Sequence, residues 1–105
     1  MMCCGLAASP PSEAEAYRIA PMFKALGDPV RLRLMAMIAG AEEVCVCELT
    51  PHFTQSGATI SHHLKTLREA GLVHCERRGT WVYYRALPAQ LQSLGTLLQV
   101  APVPG

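Results

Sequence analysis

Residues 56–71 and the two runs that follow them limit the fold more than any other part of the sequence. Ser56 is a helix-capping residue, Gly71 is a helix terminator, and the apolar positions between them recur on one face of a helix. The runs LVHCE and WVYYRA that come next are rich in β-branched and aromatic residues and flank a glycine-containing turn. This stretch therefore predicts an amphipathic helix followed directly by a β-hairpin.

Capping residues and apolar periodicity predict four further helices. The first covers residues 12–26 and is expected to kink, or to divide into two abutting pieces, at Pro21, because proline removes a helical hydrogen bond. A largely buried second helix is predicted over residues 28–40. A short third helix follows an extended segment and covers residues 47–53, and a last helix starts at residue 87. The predicted fold is mainly α with a small β-hairpin (α+β), arranged as a winged helix-turn-helix.

The chain of 105 residues has the length of one domain. We predict a flexible N-terminal segment at residues 1–11, the winged helix-turn-helix domain at residues 12–100 and a flexible tail at residues 101–105. The last helix has more apolar positions than one narrow stripe needs, so a second copy is expected to cover it in a homodimer. Because no apolar run reaches the length of a membrane span and the start lacks a secretory signal, we expect a cytoplasmic protein with no membrane partner.

Charge is distributed unevenly along the chain. Residues 54–105 have a net charge of +3 and contain three histidines, whereas residues 1–53 have a net charge of −2. A basic half of this kind suits a surface that faces a polyanion, although three net charges are also common on an ordinary solvated face. The order of the predicted elements therefore carries more weight than the charge.

Three linked motifs, FKALGDPVRLRLM, TISHHLKTLREAGLV and the hairpin, resemble the ArsR/SmtB family of dimeric winged-helix metal sensors. The resemblance extends from about residue 17 to about residue 98. It implies a metal-responsive transcriptional repressor, not an enzyme. Such a protein binds double-stranded operator DNA as a homodimer, and its two-fold symmetry implies an operator with an inverted repeat.

The resemblance also implies which residues contact DNA. They lie on the second helix of the reading unit and at the hairpin turn: Ser56, Thr59, Ser61, His62, Lys65, Arg77 and Arg78. Hydroxyl and imidazole groups can bond base edges or phosphates, and lysine and arginine contact the DNA backbone or minor groove. Gly57 stands where the family often has glutamine, a common adenine reader, so base selection is expected from neighbouring residues or from DNA shape.

The five cysteines point to metal binding or sensing, because thiols stay reduced in the cytoplasm. Arsenic and antimony sensors of the ArsR/SmtB family carry Cys-Val-Cys-(Asp/Glu)-Leu at the start of the third helix, and residues 45–49 match this pattern. The resemblance implies that Cys45 and Cys47 bind arsenite or antimonite, As(III) or Sb(III), since thiolates prefer soft acceptors. Side chains at i and i+2 do not share a helix face, so binding is expected to strain or unwind the first helical turn.

No organic cofactor is expected. The third cysteine of the family's site is absent from the residues that follow Cys47. Cys3, Cys4 and Cys75 are the candidates to replace it. We favour Cys3 or Cys4, with Cys75 packed inside the hairpin. Zinc is disfavoured because the last helix lacks the Asp, His and Glu ligands that zinc-sensing relatives carry there.

Two alternatives keep the same fold. One is a redox-sensing repressor whose thiols form a disulfide, and the other is a sensor of another soft metal such as cadmium, lead or mercury. A thiol enzyme or a metal-sequestering protein is a third possibility, but the sequence has no Cys-x-x-Cys motif, activating base or cofactor loop to support it.

Overall fold

The computed structural model describes residues 10–99, which form five α-helices, one turn of 3-10 helix and a three-stranded antiparallel sheet. The helices are α1 (Glu13–Leu26), α2 (Pro29–Ala39), α3 (Val46–Leu49), α4 (Gly57–Glu69) and α5 (Pro88–Leu97), and the 3-10 turn is Thr50–His52. The strands are β1 (Val44–Cys45), β2 (Val73–Arg78) and β3 (Trp81–Ala86). The predicted fold class, mainly α with a small hairpin in a winged helix-turn-helix, is confirmed.

Side-chain caps start the helices at the predicted places. The Ser12 hydroxyl accepts a hydrogen bond from the backbone N–H of Glu15 at 3.1 Å, and Ser56 does the same for Thr59 at 3.1 Å. Asp28 accepts from two amides in the first turn of α2. Because the first amides of a helix have no partner within it, these caps fix where each helix begins.

Two details of the helix prediction differ from the structure. α1 is one helix across Pro21 and not two abutting pieces, and its inward face, which includes Ile19 and Met22, is buried in the core. α2 is less buried than predicted, since Leu32 is 54% exposed and the helix packs on the core along one side only. Apolar content therefore overstated the burial of α2.

The core lies between α2, α4 and the sheet. Its fully buried large side chains are Leu34, Ile38, Leu49, Ile60, Leu64, Leu67, Leu72 and Val73. Leu49 is the only residue of α3 in this set, and it fixes a very short helix that could not be stable alone. No helix within residues 10–99 is long and apolar enough to cross a membrane.

β1 adds a third strand to the predicted hairpin. The strand order is β1-β3-β2, with Cys45 paired to Tyr83 and Val44 paired to Tyr84. The sequence predicted an extended segment here but not its partner, which lies about forty residues further along the chain. Through this pairing, the first cysteine of the motif is attached to the hairpin, hereafter called the wing (β2, β3 and their turn).

Candidate functional site

The cysteine pair lies where β1 ends and α3 begins. Cys45 is the N-cap of α3, with an extended backbone (φ −77°, ψ 145°), and Cys47 lies in the first helical turn. Their Sγ atoms are 2.7 Å apart. The irregular start that the i, i+2 spacing requires is thus already present. The first turn therefore does not need to unwind for both thiols to reach one ligand.

Backbone and side-chain contacts hold the pair in this arrangement. The carboxylate of Glu48 accepts a hydrogen bond from the backbone N–H of Cys45 at 3.1 Å. The N–H of Cys47 donates to Cys45 Sγ at 3.4 Å, which completes a capping box around the start of α3. The acidic residue of the Cys-Val-Cys-Glu-Leu segment therefore has a structural role, and the following leucine anchors the helix in the core.

The two thiols differ in exposure. Cys45 is 3% exposed, whereas Cys47 is exposed and offers the open side of the pair. The hydrogen bond that Cys47 donates to Cys45 raises the pKa of the Cys47 thiol, and partial desolvation and the nearby charge of Glu48 raise it further. The Cys47 thiol therefore gives up its proton less readily than an unperturbed cysteine.

A third metal ligand is not found beside the pair in the described part of the chain. Residues 10–99 contain no cluster of three His, Cys, Asp or Glu side chains that could hold an ion. Cys75 lies on β2, opposite Tyr84, so β3 separates it from Cys45 by two strand spacings, about 10 Å. Its sulfur accepts a hydrogen bond from Arg68 at 3.4 Å, and the side chain packs against the core. Cys3 and Cys4 lie outside the described residues.

An open cleft of about 390 Å³ adjoins the thiol pair. Three elements line it: Cys45, Val46 and Cys47 from the start of α3, Ser61 and Leu64 from α4, and Thr80, Trp81, Val82 and Tyr84 from the wing. Trp81 is 53% exposed, which is unusual for an indole. No sequence motif pointed to Trp81, although a single tryptophan directly after a predicted hairpin turn is a signal that could have done so.

The predicted DNA-contacting residues of α4 form an exposed row. Ser56, Thr59, Ser61, His62 and Lys65 are all exposed. The hydroxyls of Ser56 and Thr59 are 2.9 Å apart, and the Ser56 hydroxyl also caps the helix. Among residues 10–99, the one ion pair of Lys65 is an exposed contact of 3.9 Å with Glu69, and such a pair is weak. This face of α4 is therefore open to a partner.

The two arginines of the wing are not equivalent. Arg78 contacts both carboxylate oxygens of Glu43 at 2.6 Å and one of Glu76 at 2.6 Å, and its guanidinium lies 4.6 Å from the ring centre of Tyr83. These contacts raise the pKa of Arg78 and lower that of Glu43. Within residues 10–99, Arg77 has no comparable ion pair and is exposed. Arg78 thus ties the wing to the segment before β1, and Arg77 is the wing arginine without an ion pair in the described part of the chain.

His63 is structural, unlike its neighbour His62. Arg31 donates to the carbonyl of Ala25 at 2.6 Å and lies 3.1 Å from Nδ1 of His63. Because arginine only donates, His63 accepts at Nδ1 and carries its proton on Nε2. Asp28 is 4.0 Å from the same nitrogen, which is too long for a competing hydrogen bond. This network joins the start of α2 to α4, and its partners are too far apart in sequence to have been predicted.

The helix order, the exposed polar face of α4 and the wing define a winged helix-turn-helix protein. Its thiol pair lies beside α4. The chain belongs to the arsR family of bacterial regulatory proteins, whose family model matches residues 28–74. Because this is a family of regulatory proteins, the prediction that the protein is a regulator and not an enzyme is confirmed.

Similar proteins support this assignment. The chain is 45% identical over 78 residues to the arsenic resistance transcriptional regulator ArsR1 of Pseudomonas putida, across 74% of this chain and 61% of ArsR1. It is 42% identical over 79 residues to ArsR2 of the same organism, across 75% of this chain and 69% of ArsR2. An ArsR-like transcriptional regulator from Rhodococcus sp. RHA1 has a similar structure, with a TM-score of 0.70 and 28% identity, across 81% of this chain and 79% of that one.

The contact between the two sulfurs predicts how Cys47 reacts. Cys45→Ala removes the hydrogen bond that is the main cause of the raised pKa, so Cys47 should be alkylated at lower pH than in the native protein. Iodoacetamide labelling, followed peptide by peptide with mass spectrometry from neutral to alkaline pH, measures this shift. Cys75→Ala is the control and should leave the Cys47 profile unchanged. Equal profiles for Cys45→Ala and the native protein would contradict the assigned contact.

Proposed function

We propose that this protein is a transcriptional repressor that binds operator DNA as a homodimer and leaves it when trivalent arsenic or antimony binds to its cysteines. The observation that carries the proposal is the 2.7 Å approach of Cys45 and Cys47, on the wall of a cleft that α4 and the wing also line. Soft thiolates suit these acceptors. A ligand held by the pair would lie next to both elements proposed to contact DNA.

The DNA-binding part of the proposal rests on the exposed row of α4. In a winged helix-turn-helix, this helix enters the major groove, where hydroxyl, imidazole and amino groups meet base edges and phosphates. Lys65 supplies a positive charge on that face, and Arg77 supplies one on the wing. Arg78 is held by two carboxylates and fixes the position of the wing. A DNA partner also agrees with the predicted cytoplasmic location.

The homodimer rests on apolar surface at α1 and α5. Three of the five large apolar side chains that are exposed in residues 10–99 lie there: Tyr17, Leu97 and Leu98. The two helices are joined by a hydrogen bond of 3.4 Å from Arg18 to Gln90. Exposed apolar side chains on both of these helices suit a two-fold interface with a second copy.

Arsenite needs a third donor, for which we propose Cys3 or Cys4 of the N-terminal segment. The described residues supply two converging thiols, and Cys75 is on the far side of β3. Ligand binding and DNA binding would then be coupled through the cleft, since an occupied thiol pair changes the packing between α3, α4 and the wing. Such coupling is reciprocal, so operator DNA should weaken ligand binding as much as ligand weakens DNA binding.

A redox-sensing repressor is the second candidate, because the same contact brings two thiols together for oxidation. In that reaction a peroxide takes two electrons and two protons from the pair and is reduced to water, and one sulfur–sulfur bond forms. Release from DNA by peroxide, without uptake of arsenite, would favour this candidate over the first.

Lys65→Ala should weaken binding to an operator fragment selected in vitro with the native protein. One phosphate contact per subunit is lost, so the slope of log affinity against log salt concentration should fall by about 2 per dimer. Fluorescence anisotropy at several salt concentrations measures both effects. Lys24→Ala removes an exposed lysine from α1 and is the matched control. Equal losses from the two variants would argue against α4 as the docking element.

Leu98→Glu should dissociate the dimer, because a buried, unpaired carboxylate at the interface is costly. Leu98 is 64% exposed in one subunit and lies at the end of α5. Leu32→Glu, at a residue of α2 that is 54% exposed, is the control and should remain dimeric. Sedimentation equilibrium of both variants tests this, and a dimeric Leu98→Glu protein would rule out the proposed interface.

Cys45→Ser and Cys47→Ser should each keep DNA affinity and lose release by arsenite. Serine is a good helix cap, so Cys45→Ser preserves the start of α3. Anisotropy of labelled operator measures release, and sulfur-to-arsenic absorbance measures binding. Cys75→Ser should respond like the native protein. Normal release of either Cys45→Ser or Cys47→Ser by arsenite would show that the effector site is elsewhere.

A further inference from the structure

We propose that Glu43, an acidic residue outside both elements proposed to contact DNA, is a positioning residue for DNA binding and acts by holding the wing through Arg78. The inference rests on the proposed function and adds to it a residue that cannot itself bind a phosphate. It is motivated by the contact of Glu43 with Arg78, which joins the segment before β1 to the far end of the wing. Its consequence is one of sign: the loss of a negative charge at Glu43 should weaken binding to a polyanion.

The sheet supports the base of the wing better than its far end. β1 pairs with β3 at residues 83–84, whereas the pairing of β2 with β3 continues to Arg78 and Trp81, which border the turn. Because a two-stranded hairpin is at best marginally stable alone, the part of the wing beyond β1 depends on contacts with the rest of the protein. Val82 supplies one by packing against the core, and the ion pair of Arg78 with Glu43 supplies another.

The geometry of this ion pair makes it stronger than an ordinary surface pair. Both carboxylate oxygens of Glu43 accept hydrogen bonds from the Arg78 guanidinium, each at 2.6 Å. The same guanidinium donates to Glu76 and lies over the ring of Tyr83, so it is held by three groups. Single exposed ion pairs contribute little, but bidentate pairs and networks are the exceptions. The hydrogen bond from Arg78 also lowers the pKa of Glu43, so this carboxylate is ionised at neutral pH.

The position of the wing affects DNA binding because the wing and α4 must meet the duplex together. Arg77, the exposed wing arginine proposed to contact DNA, directly precedes Arg78 in β2, so its place depends on where Arg78 is held. A segment that is already ordered in the free protein binds more tightly than one that must be ordered during binding. Without Glu43, the end of the wing would be ordered only when DNA binds, and affinity would fall.

The first test measures the mobility of the wing without DNA. Trp81 is the single tryptophan of the chain and is paired with Arg78 across the wing, so its fluorescence reports on this part of the protein. Glu43→Gln should increase the nanosecond motion of Trp81, measured by time-resolved fluorescence anisotropy. Glu42→Gln is the matched control, since Glu42 is exposed and forms no ion pair within residues 10–99. Equal Trp81 motion in the Glu43→Gln and native proteins would overturn the inference.

The second test measures affinity for the selected operator fragment. Glu43→Gln should weaken binding about five-fold, whereas Glu42→Gln, with the same change of charge, should bind as tightly as the native protein or slightly more tightly. In an Arg78→Gln background, Glu43→Gln should cause no further loss, because its partner is already gone.

The outcomes separate this inference from the proposed function. Native or tighter binding by Glu43→Gln, or a further loss in the Arg78→Gln background, would refute the role of Glu43 and leave the repressor proposal standing. If the native protein binds no operator, the repressor proposal is wrong, and the inference about Glu43 is wrong with it.

Discussion

The structure depends on one residue that belongs to two elements at once. Cys45 is paired to Tyr83 in the sheet and is also the N-cap of α3. A residue in this position must have an extended backbone, which turns its thiol toward the next turn of chain and so toward Cys47. These two constraints on Cys45 bring the two sulfurs together and link α3 to the wing.

Two further contacts keep the same region rigid. Leu49 is fully buried and anchors α3 in the core. The Arg78–Glu43 ion pair attaches the wing to the segment before β1. Leu64 is part of both the core and the cleft wall, so α4 cannot move independently of the cleft beside the thiol pair. Under the proposed function, a ligand acts by changing the packing among these parts, because packed interiors resist gradual deformation.

Local sequence signals predicted most of the fold and part of the site. Capping residues such as Ser12 and Ser56 set the helix starts, and the β-rich runs around the turn predicted the hairpin, because each depends on neighbours in the chain. The pairing of β1 with β3 and the contacts of Arg78 with Glu43 and of His63 with Arg31 depend on partners more than thirty residues away. No local pattern encodes such contacts, so the different contacts of Arg77 and Arg78, and of His62 and His63, emerged only from the structure.

The chemistry of the thiol pair bears on which soft ligand it favours. The Cys47 thiol donates a hydrogen bond to Cys45 Sγ, and Glu48, which forms part of the cap of α3, places a negative charge nearby; both raise the pKa of Cys47. A dication such as cadmium must displace these protons, so a raised pKa weakens its binding near neutral pH. A trivalent arsenical exchanges hydroxyl groups for thiols and releases water, with no net release of protons. The contacts that stabilise the start of α3 therefore weaken the binding of dications more than the binding of trivalent arsenicals. This is a physical reason to propose arsenic, and not cadmium, lead or mercury, as the ligand.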